Sequence, residues 1–296
     1  MIQSMTALII AAVIGAVFLI YLFLIMPRML RRPSYRALFD VPATKRIYGE
    51  RADAPPLYAH RGLHDNATDA PENSMAAFKK AVEAGFGIEL DVQITKDGRL
   101  VIFHDDTLTR MTGGKGSIRD YTREELQRDF RLLDTEERIP SFEEFLAMVD
   151  GKVPLIIEIK EESRDMSVCP LVDAVLQNYQ GVYCIESFNP LVVRWYKKHR
   201  PDVIRGQLSD AHHRENPEKN KGFLYFAMEH LFTNFMTKPD FIAYNHKYAH
   251  HLSLSFCRGL FHALTVAWTI KSEEDLAKNR DLFQIFIFDS FLPEKQ

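Results

Sequence analysis

Twenty consecutive residues, 7–26, read ALIIAAVIGAVFLIYLFLIM and contain no charge. As an α-helix this run would be about 30 Å long, the thickness of a bilayer's hydrocarbon core. Burial inside a soluble fold is the alternative, and the length and purity of the run oppose it. A cleavable signal peptide also fits poorly, because no basic residue precedes the run, it exceeds a usual signal core, and no small-residue cleavage site follows. Arg28, Arg31, Arg32, Arg36, Lys45 and Arg46 all lie after it. The positive-inside rule then puts the C-terminal side in the cytoplasm. Residues 1–28 are therefore expected to form one transmembrane helix, a single-pass anchor. Residues 29–56, with Pro33, Pro42, Pro55 and Pro56, read as a basic linker that either hugs the membrane or is simply solvated.

Everything else must fold from residues 57–296. Lys plus Arg number 37 against 40 Asp plus Glu, a net charge of −3, which leaves no strong field to recruit nucleic acid. Cys169, Cys184 and Cys257 are odd in number and widely spaced, which argues against a disulfide framework or a structural zinc site.

In this region short apolar runs alternate with helical patterns. Strands are expected at 57–60, 88–94, 100–104, 154–159, 182–187, 203–208, 241–244, 264–269 and 285–288, and helices at 74–84, 141–149, 168–179, 190–198 and 272–278. Ser74, Ser141 and Ser272 are placed to cap three of the helices. Alternating β and α elements imply a mostly parallel sheet, and the length suits one (β/α)8 TIM barrel. Nine strands are one too many. Asp97-Gly98, between the second and third, signals a hairpin, and so short a connection cannot join parallel strands. The third strand is therefore expected to fold back antiparallel, leaving eight for the barrel. A two-residue turn would pair Lys96 with Arg99 and set Asp91 opposite His104.

Four segments carry chemistry. A-H-R-G puts His60 and Arg61 at the C-terminal end of the first strand, where barrel enzymes build their sites. I-E-L-D-V points Glu89 and Asp91 the same way out of an apolar strand, and buried carboxylates need a cation. F-H-D supplies His104, whose imidazole titrates near neutrality. L-I-I-E-I-K places Glu158 and Lys160 on one face. Together they give Glu89, Asp91 and Glu158 for a hard divalent cation, Mg2+ or Ca2+, Arg61 and Lys160 for an anion, and His60 and His104 for proton transfer. The set suits metal-assisted phosphoryl chemistry, and no nucleotide-binding G-x-x-x-x-G-K-[ST] loop occurs.

These segments occur in order with P-E-N-S (71–74), T-K-D-G (95–98), R-I-P-S-F-E-E (138–144), E-S-F-N-P (186–190) and A-W-T-I (267–270). The series resembles the glycerophosphodiester phosphodiesterase family from residue 57 to about 289. The resemblance implies a barrel enzyme that hydrolyses glycerophosphodiesters to an alcohol and glycerol 3-phosphate. By motif, His60 and His104 resemble its acid–base pair, Glu89, Asp91 and Glu158 its metal ligands, and Arg61 and Lys160 its phosphate contacts. Glu72 and Asn73 match a supporting loop, and Trp268 a position lining the substrate pocket. Phe288 stands where the family commonly has Thr. The tether tilts the substrate toward lipid-derived diesters. The alternatives are a lysophospholipase D-type or cyclic-phosphate-forming activity on lysolipids, and a non-catalytic barrel that serves as a binding module.

An insert at about 209–239 is unusual. Its first part is polar, with His212 and His213; its second, 222–236, is rich in aromatic residues. Leu224, Met228, Leu231 and Phe235 make one helical stripe, widened by Phe223, Phe226 and Phe232. The stripe is either an outer helix packed on the barrel or an interfacial helix dipping into lipid.

Overall fold

A computed structural model describes residues 2–29, 33–49, 54–215 and 222–293. Arg31, Arg32 and the end of the insert's polar part, 216–221, lie outside the described residues. Among the described residues nine strands form, at β1 Leu57–His60, β2 Gly87–Ile94, β3 Leu100–Ile102, β4 Leu155–Ile159, β5 Tyr183–Ser187, β6 Arg205–Ser209, β7 Phe241–Asn245, β8 Leu264–Ile270 and β9 Ile285–Phe288. Their order is β1-β9-β8-β7-β6-β5-β4-β2-β3, and β1 pairs with β2 to close the ring. Every pairing is parallel except β2 with β3, so eight strands make a TIM barrel and β3 lies outside it. β2 serves both roles because it is long: Gly87 to Val92 lie in the barrel, and Val92 to Ile94 carry β3.

The register of that hairpin corrects the sequence reading by one residue. Val92 pairs with Ile102 and Ile94 with Leu100, so Asp91 lies opposite Phe103, whose amide donates to the Asp91 carbonyl. The loop holds three residues, not two. Gly98 takes φ 70° at its end, the left-handed position that such loops require. The Thr95 hydroxyl lies 2.6 Å from Asp97 Oδ1 and accepts from the Arg99 amide, which fixes this turn. Strand β3 stops at Ile102, so His104 reaches the site from the loop beyond it.

Ser74, Ser141 and Ser272 each accept a backbone amide at the start of helices Met75–Ala84, Phe142–Val149 and Glu273–Asn279. The barrel core is continuous from Leu57 to Phe288. A second small core, with Phe103, Leu108, Met111, Leu126 and Ile139, lies under the excursion between β3 and β4.

The N-terminal segment is helix α1, Ile2–Ile25. Residues 5–25 are long and apolar enough to cross a membrane, with mean hydropathy 3.1. Its last turn is built into the barrel wall. Asn234 Nδ2 and Cys257 Sγ donate to the Ile25 carbonyl at 2.8 and 3.3 Å, Lys238 Nζ donates to the Met26 carbonyl, and Ile25 is fully buried. Residues 29–56, expected as a linker, include structured parts. A 3-10 helix Pro33–Phe39 and helix α2 Pro42–Tyr48 pack against the starts of β1 and β2: the Tyr58 hydroxyl donates to the Leu38 carbonyl, and the Leu57 amide to Thr44 Oγ1. Leu38, Val41, Ala43 and Ile47 supply the buried apolar surface that a solvated connector would lack.

The stripe expected over 222–236 is broken. Helix Phe223–Glu229 ends in a left-handed residue, Leu231 (φ 58°), with the Phe232 amide on the Ala227 carbonyl, and a new turn Asn234–Thr237 follows. Met228 and Leu231 are buried, whereas Leu224 and Phe235 are exposed, so the four do not share one face.

Candidate active site

The C-terminal ends of β1, β2 and β4 bring nine of the ten expected site residues into one web. Lys160 Nζ bridges Asp91 Oδ1 (3.1 Å) and Glu158 Oε2 (2.9 Å). Arg61 Nε lies 3.4 Å from the other oxygen of Asp91, which also accepts from Asn73 Nδ2 at 2.9 Å. Arg61 Nη1 donates to Glu72 (2.6 Å), and the Arg61 amide donates to Glu89 Oε2 (3.2 Å). Arg61 itself is left-handed at φ 55°, and Gly62 follows at φ 83°, where a Cβ would come within 2.9 Å of the backbone of helix Met75–Ala84. The R-G pair thus turns the chain sharply enough to aim Arg61 back over the barrel mouth. Trp268 is the tenth residue. It stands apart from the charged web and packs edge-on against Phe188 at 5.7 Å.

Strand register explains the carboxylates. Asp91 pairs with Glu158, and Glu158 with Glu186, so three acids stand side by side on β2, β4 and β5. Glu186 was missed in the sequence reading, although a lone acid in the apolar run C-I-E-S is the same signal that found Glu158. Burial first, and the neighbouring acids second, push the Glu89 and Glu186 carboxyls well above the carboxylate range. Burial also raises Glu158. Burial opposes ionisation of Asp91 too, but Lys160, His104 and Arg61 hold it well below the usual range. Four buried carboxylates therefore face two cationic side chains, Arg61 and Lys160. Oxygens of Glu89, Asp91 and Glu158 lie within 4.8 Å of one another, and Glu186 Oε2 has no hydrogen-bond partner among the described residues. This all-oxygen donor set, with more acids than cationic partners, fits a hard divalent cation.

The two histidines flank the web, each oriented by a carboxylate. His60 Nδ1 lies 3.4 Å from Asp289 Oδ2, and its Nε2 is 3.9 Å from Glu89. Burial and then Arg61 push the His60 imidazole down to about 4, so it is neutral at pH 7. Asp289, just after β9, also meets His64 Nε2 at 3.3 Å. Asp289 is not legible from local sequence, because it lies 229 positions from His60. His104 Nδ1 contacts Asp105 Oδ1 at 2.8 Å, and Arg110 ties Asp105 to Glu72. Burial opposes ionisation of Glu72, but Arg110 and Arg61 hold its carboxyl down to about 2, so it stays ionised and steadies both arginines.

Two cavities open here. One, of ≈ 960 Å³, is lined by His60, Arg61, His64, Glu72 and Asp289. The other, of ≈ 670 Å³, is lined by His104, Glu158, Lys160, Phe188, Tyr225 and Met228. Arg61 and Lys160, which belong one to each, meet at Asp91 between them.

Comparison with known proteins agrees with this architecture. Residues 60–282 match the Glycerophosphoryl diester phosphodiesterase family. A glycerophosphodiester phosphodiesterase of Caldanaerobacter subterraneus is 39% identical over 165 residues, 51% of this chain and 65% of the relative. One of Bacillus altitudinis is 46% identical over 110 residues, 35% of this chain and 44% of the relative. The chain thus spans less than two thirds of the length of these curated relatives. A solved glycerophosphodiester phosphodiesterase of Thermotoga maritima superposes with a TM-score of 0.61 at 25% identity, covering 79% of this chain and 94% of the other. An Oleispira antarctica phosphodiesterase, solved with sn-glycerol-3-phosphate, shares the fold with a TM-score of 0.62 at 24% identity, over 79% and 92%. The chain belongs to the glycerophosphoryl diester phosphodiesterase family.

Proposed function

We propose that the protein hydrolyses glycerophosphodiesters to an alcohol and glycerol 3-phosphate, tethered to the cytoplasmic face of a membrane by α1. The observation that carries this reading is the convergence of three buried acids, two cationic side chains that meet at Asp91 and two carboxylate-oriented histidines at one end of the barrel. Arg61 and Lys160 bind the phosphate oxygens. His60 donates its Nδ1 proton to Asp289, so Nε2 is left to accept a proton from water, or from the glycerol hydroxyl next to the phosphate. When water is activated, its oxygen bonds to phosphorus as the bond from phosphorus to the alcohol oxygen breaks, and His104 gives the departing alkoxide a proton; when the glycerol hydroxyl attacks instead, the same step leaves a cyclic glycerol phosphate, whose ring a water must then open to give glycerol 3-phosphate. A divalent cation, Mg2+ or Ca2+, held by Glu89, Asp91 and Glu158 would neutralise charge on the phosphoryl oxygens when bound. Phe188 lines the His104 cavity and Trp268 packs edge-on against it, and the two would bound the alcohol group.

Retention of α1 as an anchor is supported by its junction. Asn234, Cys257 and Lys238 are committed to carbonyls of Ile25 and Met26, and removal of α1 would strand buried donors. Protease digestion of intact cells should spare the barrel; digestion from outside overturns the orientation. A lysophospholipid substrate is favoured as a second reading by Leu224, Tyr225 and Met228, which give the His104 cavity an apolar wall. His60→Ala and His104→Ala should each abolish turnover with the fold intact. Near-normal activity in either removes that residue from the mechanism.

A further inference from the structure

Helix α1 and the barrel meet in a way that fixes where a membrane must lie. Residues Phe18 to Ile25 pack on the barrel: Phe18 and Tyr21 on Phe256, Tyr21 also on Phe232 and Ser253, Phe23 on Phe235, and the Ile25 carbonyl on Asn234 and Cys257. Of the apolar run 7–26, only residues 7–17 stand clear of these contacts. Eleven helical residues span about 16 Å, short of the roughly 30 Å hydrocarbon core. A bilayer that covers the apolar run must therefore come down at least to the level of Phe18 and Tyr21.

The direction follows from the chain's path. After Tyr21 it descends to Arg28, whose amide donates to the Pro239 carbonyl and whose guanidinium pairs with Asp240, at the N-terminal end of β7. It then continues to α2, under the starts of β1 and β2. Helix Leu252–Gly259 runs from the end of β7 to the start of β8, and Ile25 meets its Cys257 whereas Tyr21 meets its Ser253, so α1 before Tyr21 points toward the opposite end, where the strands deliver the carboxylates and histidines.

Aromatic rings link the two. Tyr21 contacts Phe232 at 5.8 Å, Phe232 contacts Phe226 at 5.8 Å, and Phe226 contacts Phe223 at 6.3 Å. Phe223, Leu224 and Phe226 are 78%, 58% and 40% exposed. The same helix also lines the His104 cavity through Leu224, Tyr225 and Met228, and Tyr225 continues the ring series inward through His212, Phe188 and Trp268, at 5.7 Å each.

We propose that the catalytic mouth faces the leaflet in which α1 sits, with helix Phe223–Glu229 seated in the lipid interface as a ramp. A lysophospholipid, which is a glycerophosphodiester bearing one acyl chain, then enters from the bilayer with its chain on Phe223, Leu224 and Phe226 and its phosphate at Arg61 and Lys160. This rests on the hydrolytic reading for its substrate, but not for its membrane contact.

The full chain reconstituted in phosphatidylcholine vesicles tests both. Phe223→Trp adds a reporter, and lipids brominated on the acyl chain should quench it beyond the quenching of Trp195 and Trp268 in the parent protein. No added quenching overturns the membrane contact. The double variant Phe223→Asp, Phe226→Asp should lose roughly tenfold or more of its turnover of vesicle-borne lysophosphatidylcholine while hydrolysing soluble glycerophosphocholine normally. Equal turnover of the lysolipid by variant and parent overturns the ramp. A parent protein that hydrolyses neither substrate defeats the hydrolytic reading alone, since the quenching result stands apart from turnover.

Discussion

Asp289→Asn tests whether a carboxylate brought in by the last strand controls the first strand's histidine. Asp289 sits 3.4 Å from His60 Nδ1 and is mostly buried, with its side chain 11% exposed. When His60 accepts a proton the contact becomes a hydrogen bond between two charged groups, which contributes about 1.5–3 kcal/mol. At about 1.4 kcal/mol per decade, losing it in the transition state alone lowers kcat roughly 10- to 150-fold. The substrate phosphate does not touch Asp289 in the proposed mode, so KM should stay within about twofold. The pH profile should shift as well. Asp289 raises the His60 pKa against the burial that lowers it, so the asparagine variant's acidic limb should move to lower pH. Steady-state kinetics from acid to neutral pH on glycerophosphocholine, with saturating divalent cation, read all three. An unchanged kcat, or a loss confined to KM, refutes the idea that Asp289 acts through His60.

Two further outcomes follow from other contacts. Lys160→Met leaves Asp91 and Glu158 buried without their shared cation, which costs about 3–5 kcal/mol. In chelator the unfolding temperature should fall by about 5–20 °C, and millimolar Ca2+ should restore part of it; equal melting with and without Ca2+ contradicts the site's charge balance. Asn234→Leu removes the main donor to the Ile25 carbonyl and should cost about 1–3 kcal/mol, with faster proteolysis near residues 26–29. Unchanged cleavage would mean that the junction is held elsewhere.

The strands were legible because apolar runs bounded by turn residues coincide with a closed parallel barrel, and β1 and β9 fall where the sequence reading places them. The hairpin was legible in kind but not in register. Lys96-Asp97-Gly98 suits a two- or a three-residue loop, and the choice is made by Thr95 and by the Arg123 amide on Asp97, a contact 26 positions away. The charged web was readable from E-x-D and E-x-K because period-two spacing puts both members on one face. Glu186 required the knowledge that β5 is in register with β4. Asp289 and the α1 junction rest on pairs more than 200 residues apart, which no local pattern encodes. Helix Leu252–Gly259 escaped notice because L-S-L-S-F alternates like a strand, and its burial against the barrel decides otherwise.

The most direct test of the central claim is turnover of a glycerophosphodiester by the purified full chain, stripped with chelator and then given Mg2+ or Ca2+, with products read by phosphorus NMR. Activity should vanish in chelator, return with one of the two ions, and yield glycerol 3-phosphate; Glu89→Gln should not recover. Full activity in the stripped protein, matched by Glu89→Gln, would contradict a cation-dependent site built on Glu89, Asp91 and Glu158.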